Sequence, residues 1–181
     1  METPTKNLIN DHIHIVRLLD VIEALAKQEN PNIDHIEEAV SLVKNFADIF
    51  HHSKEENMLF PFLSTKGFSA KQGPVAVMLS EHVQGRDYIK NIELNLKLFK
   101  SGNELALIPL KDNMMGYSIL LRNHILKENN ILFPMADRVL NDEDNVMLMK
   151  KFHLFESESY CKGLMGNCLT RLVKLAEQYN L

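Results

Sequence analysis

The chain has 181 residues, of which 45% are hydrophobic and 24% charged, values expected for one soluble globular domain. A net charge of −4 without a basic block argues against nucleic acid or an anionic membrane as the main partner. No apolar run approaches the ~18 residues of a membrane span, and the N-terminus lacks the basic-then-apolar layout of a secretion signal. We therefore expect a cytoplasmic protein.

The spacing of apolar residues predicts an all-α chain. The sequence has only seven Gly and six Pro, and no segment alternates apolar and polar residues as a strand would. Apolar residues at steps of three and four predict helices that begin near Thr5, between Asn32 and Asp34, at Pro74, and at Asn103 or Pro109, followed by a fifth over about residues 144–178.

These elements predict one domain that covers residues 1–181. Short connections favour an antiparallel, up-down four-helix bundle over about residues 5–140. A single C-terminal helix over residues 144–178 is expected to cover the bundle. Asp34 is the expected cap of the second helix, and Pro134 is expected to interrupt the fourth.

One stretch of sequence occurs twice. HHSKEENMLFP begins at His51 and HILKENNILFP begins at His124, 73 residues later, and the two align without a gap. Each copy places a Glu four residues after its His, as Glu55 and Glu128, so the two side chains lie on one helix face. A single pair of this kind is usually a solvated ion pair. Because both copies run into an apolar Leu-Phe-Pro, the duplication favours inward-facing metal ligands.

The first copy also offers a competing pair one residue further round the helix, His52 with Glu56. The repeat aligns His51 with His124, but it aligns His52 with Ile125, which cannot bind metal. The alignment therefore favours the first pair as ligands.

Single histidines lie on the apolar faces of the first and third predicted helices. A lone His at such a position is usually a hydrogen-bonded core residue, but here each is the candidate ligand from its helix. The four helices would then carry one metal half-site twice, similar to four-helix di-iron designs. The candidate ligands are His12, His51, Glu55, His82, His124 and Glu128.

Four segments, DHIHI, HHSKEENMLFP, MLSEHVQGR and HILKENNILFPMAD, resemble the hemerythrin-like (HHE cation-binding) domain family in content and order. The resemblance covers about residues 8–140 and implies an antiparallel four-helix bundle that holds two irons. It places the family's ligands on the same six residues. This four-His, two-Glu set is closer to the non-carrier branch than to the oxygen carriers, which use five His and two carboxylates. That branch includes proteins that repair nitric-oxide-damaged iron–sulfur centres and carry a small Cys-containing N-terminal domain, whereas this sequence begins almost directly at the first helix.

Imidazole and carboxylate ligands together suit iron, manganese or zinc. The resemblance implies two iron ions, oxo- or hydroxo-bridged, with manganese or zinc as the less favoured alternatives. If both glutamates bridge the metals, each metal keeps one open position for O₂, nitric oxide or peroxide. Tyr117 lies two turns before His124 and is the candidate for a hydrogen-bond donor or radical relay beside the site, with an ordinary core role as the alternative. Cys161 and Cys168 are too far apart for a disulfide within one helix and are expected to be reduced thiols.

We therefore expect a di-iron protein that handles O₂, peroxide or nitric oxide. Peroxide is preferred because its dismutation needs no external electrons. Turnover as a peroxidase, a catalase-like enzyme or a nitric-oxide-handling oxidoreductase stays open, the last with an external electron donor. The alternatives are a module that senses or stores O₂, nitric oxide or iron without turnover, a protein that repairs damaged iron–sulfur centres, and a structural zinc or iron bundle.

Overall fold

The computed structural model of the protein describes residues 2–181, without the side chains of residues 159–162 and 164. Within that range the chain forms six helices and no strand, which confirms the predicted all-α class. The helices are α1 (Pro4–Lys27), α2 (residues 33–65), α3 (Pro74–Lys100), α4 (residues 107–139), α5 (Asp142–Ser157) and α6 (Ser159–Glu177). The side chain of Cys161 lies outside the described residues, and Cys168 is a buried free thiol. No helix of the described chain is long and apolar enough to cross a membrane.

Helices α2 and α4 each change from α-helical to π-helical geometry and back. Helix α2 comprises the α-helical segments Ile33–Leu42 and Phe60–Thr65 and the π-helical segments Val43–His52 and Glu55–Leu59. Helix α4 comprises Leu107–Lys127 (α), Glu128–Leu132 (π) and Phe133–Val139 (α). Such π-helical turns are rare and are frequently found at functional sites. The two short ones, Glu55–Leu59 and Glu128–Leu132, lie within the repeated sequence.

The two short π-helical turns occupy the same place in the sequence repeat. The N–H of Phe60 donates to the carbonyl of Glu55, and the N–H of Phe133 donates to the carbonyl of Glu128, five residues earlier in each case. The proline that follows has no N–H, and its ring crowds the carbonyl four residues before it, so a wider turn lets the helix continue. The predicted interruption at Pro134 is therefore wrong, because α4 runs through this residue without a break.

Two helix ends also differ from the prediction. Asn32, and not Asp34, caps α2, because its side-chain oxygen accepts from the N–H groups of Asp34 and His35 at 3.0 and 3.3 Å. The predicted single C-terminal helix is two helices, because Glu158 has an extended backbone with φ −55° and ψ 138°. Both α5 and α6 pack against α1 and α2, so they extend the bundle on that side.

A polar layer separates two apolar cores along the bundle. On α1, Leu8 belongs to one core and Ile15 to the other, with His12 between them. On α2, Leu59 and Phe50 belong to the same two cores in the same order. Polar groups held between apolar layers are costly unless they are paired. The polar side chains of this layer therefore need hydrogen-bond partners or bound ions.

Candidate metal centre

All six predicted ligands lie together in the polar layer. Each is at most 2% exposed, and they come from α1, α2, α3 and α4 in the predicted distribution. The ring nitrogens Nε2 of His12 and His51 are 3.2 Å apart, and we call this pair the first half-site. The Nε2 atoms of His82 and His124 are 3.1 Å apart and form the second half-site.

The two glutamates connect the half-sites. Glu55 places one oxygen 3.7 Å from His51 Nε2 and the other 3.4 Å from His82 Nε2. In Glu128, Oε2 lies 3.3 Å from the Nε2 atoms of both His12 and His124. Each carboxylate therefore contacts one histidine of each half-site, as a group that bridges two metals would.

The other ring nitrogen of every one of these histidines, Nδ1, faces an oxygen acceptor. Carboxylates accept from three of them and an amide oxygen from the fourth, at 2.6–3.1 Å. The pairs are His12 with Asn129, His51 with Asp11, His82 with Glu56, and His124 with Glu81. Because the proton sits on Nδ1, each Nε2 presents its lone pair to the centre, which is the arrangement of metal-ligating histidines.

These outer partners follow the same two-fold symmetry as the ligands. The residue before His12 and the residue before His82, Asp11 and Glu81, each hold a histidine of the opposite helix. The residues directly after the two glutamate ligands, Glu56 and Asn129, hold the remaining two. Sequence reasoning considered Glu56 only as a competing ligand and missed the other three, although their positions beside the ligands were a usable signal.

A lysine supports the carboxylate partner in each copy of the repeat. Lys54, which is fully buried, lies 2.6 Å from Asp11, and Lys127 contacts Glu81. The Lys shared by the two copies therefore holds the acidic group that orients the neighbouring histidine. A buried lysine needs such pairing, and Lys54 also donates to Asn7 at 2.7 Å and to Glu156 at 2.9 Å.

The geometry fits a pair of metal ions. Both oxygens of Glu55 and of Glu128 are buried without a hydrogen-bond partner among the described residues. Four Nε2 lone pairs facing one another and two carboxylates would repel unless cations lie between them. The residues present are therefore suited to hold two cations, with the glutamates shared.

In the metal-free protein, protons compensate in part for this charge. Burial opposes protonation of His124, but the adjacent Glu128 outweighs it and raises the pKa of His124 to about 10. Burial also opposes protonation of His12 and His82, but their contacts with Glu128 and Glu55, respectively, outweigh it, so both pKa values are raised. Burial works against ionisation of Glu128, yet His124 and His12 hold the pKa of its carboxyl well below the ordinary value. Metal ions and protons therefore compete for the same nitrogens.

The structure also brings His52 to the edge of the centre, although the repeat alignment set it aside. Donor atoms of His52, Glu55, His82 and His124 lie within 4.8 Å of one another, as do those of His12, His51, Glu55 and Glu128. The ring of His52 stacks on that of His82, with centroids 3.8 Å apart. The repeat aligns His52 with apolar Ile125, which indicates an inward-facing position. Sequence reasoning used this alignment only to exclude His52 as a ligand.

A cavity of about 260 Å³ reaches the second half-site from the surface. Its walls include exposed Lys90 and the buried residues His52, His82 and Tyr117. Tyr117 is 3% exposed, and burial raises the pKa of its phenol, so the hydroxyl stays protonated. Tyr117 thus lines the same cavity as His82, and its role beside the centre stays a prediction.

The fold and the site define an all-α bundle with a buried His and Glu centre for cations. Residues 3–136 match the hemerythrin HHE cation binding domain, and the chain therefore belongs to this family. The predicted resemblance is confirmed.

Curated relatives match a shorter part of the chain. The iron–sulfur cluster repair protein YtfE of Escherichia coli O157:H7 is 36% identical over 89 residues, which are 48% of this chain and 40% of that protein. Proteins of the same name from Escherichia coli (strain K12 / DH10B) and Shigella boydii serotype 18 are 35% identical over the same shares. The chain thus spans about two fifths of the length of the curated relatives it matches. No solved structure matches the chain at a significant level.

Replacing the two neighbouring histidines separately should give different metal contents. We expect His51→Ala to lose metal, because His51 faces His12 and Glu55 and is oriented by Asp11. We expect His52→Ala to retain metal, because it has no counterpart in the repeat. Plasma mass spectrometry of the purified variants measures this, with exposed His153→Ala as the control. Loss of metal from His52→Ala with retention in His51→Ala would reverse the assignment.

Proposed function

We propose that this chain is a non-haem di-iron protein that reacts with small oxygen or nitrogen species, and that peroxide is its main reactant. The observation that supports a reactive centre most strongly is the cavity between exposed Lys90 and buried His82. A purely structural metal site needs no path for a small molecule. Here a path of about 260 Å³ ends beside the second half-site.

Six residues would hold the metals in this proposal: His12, His51, Glu55, His82, His124 and Glu128. Two bound irons would supply redox chemistry and Lewis acidity, which imidazole and carboxylate ligands support. The histidines are oriented by their Nδ1 partners, and the cores on either side of the layer exclude bulk water. Each half-site has two histidines, which supports an open position at both metals.

Charge supports peroxide within this group of reactants. Four neutral imidazoles and two carboxylates carry two negative charges, fewer than the positive charges on two iron ions. Such a site attracts anions, including the conjugate base of hydrogen peroxide, and a buried site strengthens the attraction. We assign Tyr117 the role of a hydrogen-bond donor to a ligand in the cavity, since its phenol stays protonated.

Dismutation of hydrogen peroxide is the favoured reaction because it balances without another reactant. Two molecules of hydrogen peroxide give one O₂ and two molecules of water. One peroxide loses two electrons and two protons, and the other gains them. Reduction of nitric oxide or of peroxide alone would instead require an external electron donor.

The protein purified from iron-replete cells should contain two irons per chain and should consume hydrogen peroxide with release of O₂. Iron content is measured by plasma mass spectrometry and Mössbauer spectra, and O₂ with an electrode. The reduced protein, exposed to cycles of O₂ and vacuum, should not recover its starting spectrum. One tightly bound zinc would contradict the di-iron assignment. Full spectral reversal without peroxide consumption would instead place the protein among carriers or sensors.

A second candidate function is the repair of iron–sulfur centres damaged by nitric oxide. The relatives named iron–sulfur cluster repair protein YtfE favour it, with 36% identity over 89 residues for one of them. The test is to incubate a nitric-oxide-treated iron–sulfur enzyme with the iron-loaded protein and to follow recovery of its activity. Recovery that the metal-free protein does not produce would support repair over peroxide chemistry.

A further inference from the structure

The two halves of the centre differ in one group of residues. Each residue that accepts from a ligand histidine has a counterpart in the other half. His52 and Asp48 have no polar counterpart there. In the repeat these two positions are occupied by Ile125 and Leu121, which are buried apolar residues. The cavity is lined by this polar pair, His52 and Asp48. The duplicated residues are the six candidate ligands and their hydrogen-bond partners, which suffice to hold two metals. The pair His52 and Asp48 is not duplicated and therefore needs another explanation.

The ring of His52 is held in one orientation. Its Nδ1 lies 3.3 Å from Asp48 Oδ1, and Arg86 donates to the same oxygen from Nε at 2.9 Å and from Nη2 at 2.7 Å. Arg86 also donates to Glu56 at 2.8 Å, and Glu56 accepts from His82 at 2.6 Å. One arginine therefore connects the support of His52 to that of a metal ligand.

These hydrogen bonds involve Nδ1 of His52 and leave its Nε2 atom without a partner among the described residues. Because Asp48 accepts from Nδ1–H, the Nε2 atom carries a lone pair and can only accept. That atom is also buried. The residue is 6% exposed and lines the cavity, and a donor atom of its ring lies within 4.8 Å of those of Glu55, His82 and His124. Buried polar atoms without partners are rare in proteins, and a missing small ligand is one explanation.

We propose that this cavity binds a small molecule with an O–H or N–H group, such as hydrogen peroxide, and that His52 Nε2 accepts its hydrogen bond. The proposal rests on the proposed function, because it places the reactant beside the second half-site. It also predicts selectivity: hydrogen peroxide can donate to His52, whereas azide, O₂ and nitric oxide cannot. His52 would thus be a ligand-contacting residue and not a fifth metal ligand.

The cavity wall limits the ligand to a small size. Gly85 lies in the wall beside Tyr117, and a Cβ atom added there would lie 3.6 Å from Tyr117 Cε2, an ordinary contact. A methyl group at this position therefore fits, but a branched side chain would occupy the space that leads to His52. Apolar Ile89 and Leu121 form further parts of the wall. A compact molecule suits these dimensions better than a large anion.

The first test compares two ligands in the iron-loaded protein. In His52→Leu, the second-order rate constant for hydrogen peroxide should fall about tenfold, as expected for one lost hydrogen bond, while that for azide changes less than about twofold. Iron content should remain that of the unchanged protein, and His153→Leu is the control. Equal losses for both ligands, no loss for peroxide, or a fall in iron content would each overturn the proposal.

The second test does not depend on turnover. In zinc-loaded protein, which has no redox chemistry, hydrogen peroxide should shift the ¹⁵N resonance of His52 Nε2 selectively among the eight histidines. Gly85→Leu should abolish the shift, and Gly85→Ala should retain it. Absence of any shift in the unchanged protein would overturn the cavity proposal. Absence of peroxide consumption by the iron protein, with the shift present, would instead overturn only the proposed function.

Discussion

Replacing Glu55 or Glu128 with Gln should remove both metal ions, whereas replacing one histidine should affect one half-site first. The reason is that each carboxylate contacts a histidine of each half-site, at 3.3–3.7 Å. Gln has nearly the same shape as Glu but lacks the negative charge that two adjacent cations need. Metal content after purification and after reloading with iron measures the effect.

The Gln variants should still fold, which keeps this test interpretable. With Gln at position 128, no carboxylate there raises the pKa values of His12 and His124, so in the metal-free variant the amide can donate to their unprotonated Nε2 atoms. Circular dichroism and elution volume should therefore match those of the unchanged protein. Exposed Glu143→Gln on α5 is the matched control and should keep both metals. A Glu128→Gln protein that retains two metals would contradict the bridging arrangement.

The six candidate ligands were found from the sequence because the information is local and repeated. The His and Glu of each copy are four apart, the following Leu-Phe-Pro marks the core, and His12 and His82 lie on apolar faces. The helices themselves were predicted from apolar residues at steps of three and four. These features need no knowledge of how distant segments meet.

Other features depend on contacts between helices and were not predicted. Asp11 reaches His51 across 40 residues of sequence, and Glu81 reaches His124 across 43, so neither pairing is visible in a local pattern. The cap at Asn32 was missed because Asp34 offered a similar signal, and the break at Glu158 was missed because no Gly or Pro adjoins it. The role of Pro134 was wrong because a proline that usually ends a helix is accommodated here by a π-helical turn.

Removing the metals should lower the melting temperature, and the loss should grow as the pH rises above about 6.5. A ligand that binds only the folded state at a thousandfold excess over its Kd adds about 4 kcal/mol, roughly 8–16 °C for a chain of this size. Thermal unfolding of chelator-treated and iron-reloaded protein between pH 6.5 and 8.5 measures the difference. His153→Ala, which alters an exposed histidine, should behave as the unchanged protein does.

The pH dependence follows from the raised pKa values of the metal-free site. His12, His82 and His124 have folded pKa values above that of an unfolded histidine, about 10 for His124. Their contribution to stability is therefore complete below pH 6.5 and is lost as the pH rises through the folded values. Glu128 acts in the opposite range, because its lowered pKa contributes above its ordinary value of 4.5 and is lost in acid. His52, with a lowered pKa, also favours the folded state only above pH 6.5, so it does not offset the loss at higher pH.

Metal ions should remove this dependence because they take the place of the protons. Once the imidazoles bind metal they are neutral at every pH of the experiment, so the loaded protein should keep its stability between pH 6.5 and 8.5. Glu128→Gln provides an internal check in the metal-free state. Without the carboxylate that raises the pKa values of His12 and His124, its stability should change less with pH over the same range. Identical melting curves for metal-free and loaded protein across the range would mean that the buried glutamates do not depend on cations, and the centre would then have to be explained as a proton-filled polar layer.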